Sequence, residues 1–284
     1  MKKINFALLA LSFLFMAASC QTEKEYLVTI KTPYGDMKAI LYDETPKHKE
    51  NFIKLAKEGF YDSLLFHRII SEFMIQGGDP NSKNAAPGIP LGSGGPDYTV
   101  PAEFKKHLFH KKGALAAART NNPEKASSSC QFYIVQGKVW SNEELTSDMN
   151  ALGQAAQQMM ARPEYDSLKQ VFVDAYNSGG QEAYGKKLIE CKGIIAKEMN
   201  VKVDKDVPAD RLEAYTTIGG APHLDDEYTV FGIVVEGLDI IDKIAEQPRD
   251  GRDRPNENIT MVVELEEVSK KKITKTYGYQ YPAE

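Results

Sequence analysis

The residue whose chemistry stands out from its surroundings is Arg68, set in "FHRIISEFMIQGGD" (66–79), a strand-like run that ends on a double glycine. A guanidinium stays charged and presents a rigid fork of N–H donors. Beside an apolar pocket it can hold a carbonyl or aim a hydrogen bond, without serving as nucleophile or base. The pattern alone leaves a second reading open, in which Arg68 is a solvated edge charge and Phe73 and Met74 belong to the core. Strict alternation puts Met74 and Gln76 on one face and Phe73 on the other, so a shared pocket requires a twist at the strand start. His67 falls on the face opposite Arg68 and reads as structural.

Other chemistries find little support. Glycines 77, 78, 92, 94 and 95 resemble a phosphate loop, but no GK[ST] follows, which argues against nucleotide binding. The five histidines are scattered without HExxH or paired-cysteine spacing, so no metal and no cofactor are expected. Cys130 and Cys191 lack CxxC spacing and read as two buried free thiols rather than a disulfide.

The elements that must position Arg68 belong to a chain of 284 residues, 42% hydrophobic and 26% charged, enough for one large or two small folded domains. Met1-Lys2-Lys3 and the apolar run "INFALLALSFLFMAA" before Ser19-Cys20 read as a signal peptide over 1–19. "AASC" resembles the lipobox of bacterial lipoproteins, with Ala17 in place of the usual leucine, and makes Cys20 the expected lipidation site. The expected location is therefore the bacterial cell envelope, lipid-anchored and facing the periplasm or cell surface. Cleavage would take the formal charge from −5 to −7, a balance unsuited to nucleic acid.

"YLVTIKTPYGDMKAILYD" reads as a β-hairpin around Pro33-Tyr34-Gly35. Thr45 before Pro46 reads as the cap of a short helix with Phe52, Ile53, Leu55 and Ala56 on its apolar face and Gly59 at its end. Short strands with glycine and proline punctuation follow, the pattern of a closed antiparallel barrel. Between Trp140 and Tyr215 the apolar period lengthens, in stripes through Leu145, Met149, Leu152, Ala156 and Met159, through Tyr165, Leu168, Val171, Phe172 and Tyr176, and through Tyr184, Leu188, Cys191, Ile195 and Met199. Ser141 and Glu144 form a capping box. The expected division is a linker at 20–25, a barrel at 26–139 and 216–268, a helical insertion at 140–215 and a solvated extension at 269–284.

"FHRIISEFMIQGGD", "GSGGPDYTVPAEF", "GALAAAR", "SSCQFYIV", "HLDDEYTVFG" and "ITMVVELEEV", in that order, resemble the cyclophilins, a family of peptidyl-prolyl isomerases. The resemblance spans about Tyr26 to Val268 apart from the helical stretch. It implies a mainly β fold, an eight-stranded closed barrel capped by two helices and here carrying an inserted α-helical subdomain, with substrate proline held on the barrel's outside. It also implies a site at Arg68, Phe73, Met74, Gln76, Ala118, Gln131, Tyr133, Leu224 and Tyr228, with the Arg119 backbone facing the peptide. Arg68 and Gln76 take the catalytic roles. Tyr133 stands where phenylalanine is commonest, Tyr228 where histidine is, and His223 at the rim where many eukaryotic members have tryptophan.

The implied reaction suits these residues. Cis and trans X-Pro bonds differ by only ~0.5–1 kcal/mol, across a barrier of ~18–20 kcal/mol set by amide resonance. Catalysis calls for a grip on the proline ring and a donor aimed at the imide nitrogen, which becomes basic as the bond twists. The expected partners are unfolded or extended proline-containing polypeptides, and the membrane through the lipid anchor. A rival reading is a non-catalytic chaperone or interaction module that only holds proline segments. Arg68, Gln76 and Gln131 together favour the enzyme.

Overall fold

The computed structural model describes residues 23–282. The signal peptide and Cys20 lie outside the described residues. Strands β1 (Lys24–Thr32) and β2 (Gly35–Leu41) form the expected hairpin, and helix α1 (Pro46–Lys57) follows. Thr45 does not cap this helix with its side chain; its hydroxyl turns back to the Tyr42 carbonyl. The N–H groups of Lys47 and His48, which have no partner within the helix, instead donate to the Glu103 carboxylate at 3.2 and 3.0 Å, a cap supplied from a distant loop.

Strands β3 (Leu64–Leu65), β4 (Arg68–Ile70), β5 (Met74–Gly77), β6 (Thr99–Val100), β7 (Ala114–Ala117), β8 (Ser127–Ser128) and β9 (Phe132–Val135) come next. Helices α2 (Asn142–Thr146), α3 (Met149–Met160), α4 (Asp166–Glu190), α5 (Lys192–Met199) and α6 (Ala209–Thr217) precede strand β10 (Val230–Glu236). Helix α7 (Leu238–Ala245), strand β11 (Thr260–Ser269) and helix α8 (Lys270–Tyr277) complete the order. Nine strands pair in the order β3-β11-β1-β2-β10-β7-β9-β5-β4, and every pairing is antiparallel. The two ends of that order, β3 and β4, are separated in the chain by Phe66 and His67 alone, so the sheet curls on itself.

Period-two alternation divides the side chains of this sheet between two faces. Ile69, Ile75, Leu115, Phe132, Ile134 and Phe231 point inward, to a core shared with Phe52 and Leu55 of α1 and Ile240, Ile241 and Ile244 of α7. Phe132 sits among Phe52, Tyr61 and Phe66 with ring centroids 5.5, 5.5 and 6.4 Å away. Burial of one such ring contributes roughly 1.5–3 kcal/mol. The alternate residues Met74, Ala114, Ala116, Tyr133, Val135 and Val230 form an apolar cluster on the outer face with Ala118, Ala221 and Leu224.

The helical stretch has a core of its own, including Leu152, Ala156, Met159, Phe172, Leu188 and Ile195. Its first stripe is not one helix. Asp148 breaks it and caps α3, so Leu145 of α2 joins Phe109 and Tyr215 of α6 instead. The capping box at Ser141 and Glu144 is present. Gly179 and Gly180 interrupt α4, with φ at 62° for Gly180. The ends of the stretch meet: Gly220 N–H donates to the Lys138 carbonyl at 3.0 Å, and a Cβ on Gly137 would lie 2.3 Å from the Gly220 Cα.

The tail is not the solvated extension expected for it. Ile273 of α8 is fully buried against Leu27, Ile40 and Val268, with Tyr277, Tyr279 and Tyr281 packed around it. Both thiols are free, Cys130 buried as expected and Cys191 only half-buried. No helix among the described residues is long and apolar enough to cross a membrane.

Candidate active site

On the outer face lies a groove of about 370 Å³, and nine expected site residues line it: Arg68, Phe73, Met74, Gln76, Ala118, Arg119, Tyr133, Leu224 and Tyr228. Gln131 and His223 do not line it and sit beside it. The alternation conflict over Phe73 resolves without a twisted strand. Phe73 precedes β5 in a turn closed by its N–H to the Ile70 carbonyl at 3.1 Å, with Glu72 at φ 62°. Alternation does not govern a turn residue, so Phe73 and Met74 share one wall. Ala118 belongs to the same apolar cluster as Tyr133 and Leu224 and lines the groove with them, and its small side chain takes up little of that space.

Arg68 stands at one end of the groove, its side chain 41% exposed. Nη1 donates to Gln76 Oε1 at 3.3 Å, and Nε faces Asp253 Oδ2 at 3.7 Å. Gln76 in turn donates to Gln131 Oε1 at 3.2 Å, and Gln131 Nε2 donates to the carbonyls of Gly92 and Gly94 at 3.0 and 2.8 Å. Gln131 therefore ties the glycine loop to the Arg68–Gln76 pair. At the other side Arg119 donates to the Glu227 carboxylate at 3.2 Å and lies 4.7 Å over the Tyr228 ring. His223 packs tilted against Phe73 with centroids 5.2 Å apart, outside the hollow.

Sequence reasoning missed part of the rim. His67 lines the groove as well as being buried, and both ring nitrogens lack a partner among the described residues. Burial lowers its imidazole to about 4. The loop Gly88-Ile89-Pro90-Leu91 forms one edge, held by Arg254, whose Nη1 donates to the Ile89 carbonyl, and by Asn258 donating to the Ala85 carbonyl at 2.8 Å. Asp250 and Arg252 complete that edge. The signals available were the run "RDGRDR" and the prolines of "PGIPLG", neither of which has a spacing that encodes a site. No group of three or more His, Cys, Asp or Glu side chains among the described residues could hold a metal ion.

A curled antiparallel sheet bearing an arginine beside an apolar groove on its outer face defines the class. The family described as cyclophilin type peptidyl-prolyl cis-trans isomerase/CLD matches residues 27–175 and 174–265, and the chain belongs to that family. It is 32% identical over 247 residues to a Streptococcus pyogenes protein named as a bifunctional phosphatase/peptidyl-prolyl cis-trans isomerase, covering 85% of this chain and 38% of that one. It is 30% identical over 241 residues to a Staphylococcus saprophyticus protein named as a peptidyl-prolyl cis-trans isomerase, covering 84% of this chain and 89% of the relative. A solved cyclophilin type isomerase from Cryptosporidium parvum aligns with a TM-score of 0.48 at 18% identity, over 86% of this chain and 98% of that chain.

Proposed function

We propose that this chain catalyses cis–trans rotation about X-Pro peptide bonds, with Arg68 as the donor to the twisting imide and Gln76 holding the guanidinium in place. The observation that carries this reading is the Arg68–Gln76 contact of 3.3 Å at the mouth of a groove walled by Phe73, Met74, Tyr133, Leu224 and Tyr228. The proline ring fits the apolar hollow, and Ala118, Arg119, Gln131 and His223 support or border it. A proline-containing extended polypeptide is the substrate. Lowering a barrier crossed in ~10–100 s to one crossed in about a millisecond takes roughly 5–7 kcal/mol. One charge-assisted hydrogen bond supplies about 1.5–3 kcal/mol, and the apolar walls that favour the twisted geometry supply the remainder.

The same reading takes Leu64–Ile70 as one bent strand joining both ends of the sheet order, which makes eight strands and a closed barrel over 26–139 and 216–268. Residues 140–215 are then an inserted helical subdomain and 269–284 a C-terminal extension. A signal peptide at 1–19 and lipidation at Cys20 put the enzyme at a bacterial envelope, facing the periplasm or cell surface, where it assists folding of secreted or envelope proteins. The linker expected at 20–25 is shorter, because Lys24 and Glu25 already pair with Ser269 and Val268 as part of β1. A protease-coupled isomerase assay on residues 21–284 tests the activity. Turnover of a proline tetrapeptide is expected; peptide binding without turnover would favour the non-catalytic chaperone.

A further inference from the structure

Behind the groove, buried polar groups converge on one histidine and one aspartate. The Tyr133 ring is a groove wall, while its hydroxyl lies 2.9 Å from His110 Nε2, with the two rings stacked at 6.0 Å. His110 Nδ1 lies 3.0 Å from Asp225 Oδ1, which also accepts the backbone N–H of His110 at 3.0 Å. A carboxylate only accepts, so Nδ1 carries a proton; burial lowers the pKa of the imidazole and favours the neutral ring, in which Nε2 is bare and the Tyr133 hydroxyl donates to it. Asp225 directly follows the Pro222–Leu224 turn, which supplies Leu224 to the groove and sets His223 against Phe73. Two walls thus depend on one pair. The other carboxylate oxygen of Asp225 accepts from Tyr215 at 2.7 Å and faces Arg211 Nη1 at 3.2 Å, and both residues belong to α6. Arg211 is itself anchored on the Lys106 carbonyl at 2.7 Å.

We propose that His110 and Asp225, held from α6 by Tyr215 and Arg211, are positioning residues that fix the Tyr133 and Leu224 walls. Through them α6 couples the helical stretch to the site. The proposal rests on the isomerase reading above. Neither His110 nor Asp225 lines the groove, so they act through their neighbours. A cluster that only stabilised the fold would lower Tm and leave turnover per folded molecule unchanged. A cluster that positions the walls changes kcat, because small displacements at a reacting site are costly in rate.

The test compares Tyr215→Phe, Asp225→Asn, His110→Leu and His110→Gln in the full chain, each assayed on a proline tetrapeptide well below its own Tm. The expected result is a fall in kcat of about threefold for Tyr215→Phe and about tenfold for Asp225→Asn and His110→Leu, with KM moved less than about twofold. His110→Gln, which can still donate to Asp225 and accept from Tyr133, should recover part of the loss. Unchanged kcat in Asp225→Asn and His110→Leu, with Tm lowered, overturns the proposal. If either fails to fold, Tyr215→Phe decides, since it removes one hydroxyl outside the groove. An inactive wild-type chain would refute the isomerase reading alone. Amide chemical shifts of Tyr133 and Leu224 then decide positioning: they move in Tyr215→Phe if it holds and stay in place if it does not.

Discussion

Arg68 and Gln76 are partners twice over. They stand opposite one another in the β4–β5 ladder, and their side chains meet at 3.3 Å on its outer face. The backbone register therefore aims the guanidinium, and Asp253 at 3.7 Å limits its swing from the other side. Replacing Arg68 by alanine should lower kcat/KM at least about tenfold with the fold intact, because the donor acts mainly on the twisted bond. Arg68→Lys should restore little, since an ammonium lacks the fork. Equal turnover in wild type and Arg68→Ala would refute this assignment.

Gln131 is expected to matter without lining the groove. It accepts from Gln76 and donates to two loop carbonyls, so Gln131→Leu strands the Gln76 amide and leaves the Gly92–Gly94 segment held by its N–H groups on Asp79. The stranded groups are partly buried or exposed, so each loss costs less than the ~1–3 kcal/mol of a fully buried unpaired group. A lower Tm together with a several-fold fall in kcat/KM is the expected pair of results. A change in Tm alone would reduce Gln131 to a structural role.

Arg254 is 5% exposed and bridges the Ile89 carbonyl and Asn258, so it holds the 85–91 loop at the rim. Arg254→Ala should loosen that loop and raise KM severalfold while kcat changes less, because the loop lines the groove but makes none of the contacts that aim the Arg68 donor. Titrating initial rates against peptide concentration separates the two constants, and an unmoved KM would contradict the argument.

Stability should fall in acid partly through His67. Burial lowers its pKa from 6.5 to about 4, with Asp79 opposing that shift. Between those values the unfolded chain binds a proton that the folded chain does not, so this contribution is complete above pH 6.5 and is lost as pH falls towards 4. The loss amounts to about 3 kcal/mol. Denaturant unfolding at pH 7.5 and pH 4.5 should show a larger drop for wild type than for His67→Phe; parallel drops would exclude His67 as the source.

The helices α3–α5 should be removable. Asp148 N–H donates to the Val203 carbonyl at 2.8 Å and Lys205 N–H to the Thr146 carbonyl at 2.9 Å, so the two ends already sit side by side. Replacing residues 149–203 by a short Gly/Ser linker should leave tetrapeptide kcat/KM within about twofold, because their core is separate from the groove cluster. A loss beyond tenfold would show that the groove leans on these helices. Excision at 140–215 would remove Tyr215 as well and is expected to slow turnover.

Much of this protein was legible in local sequence. The hairpin, the alternation that divides the two sheet faces and the capping box at Ser141 follow from nearest-neighbour periodicity and capping chemistry, and the stripe from Tyr184 to Met199 does face one core, although it is divided at Cys191 between α4 and α5. The resemblance named eleven site residues, nine of which line the groove. Periodicity failed where contacts are long-range. The cap of α1 comes from Glu103, Phe73 escapes alternation because it sits in a turn, and Ile273 is buried because α8 finds Leu27 and Ile40, far away in the chain. The meeting of Tyr133, His110, Asp225 and Tyr215 has no local signature. Four residues separated by up to 115 positions become neighbours only when the sheet curls and α6 packs on it, so only the tertiary structure decides what stands behind the groove.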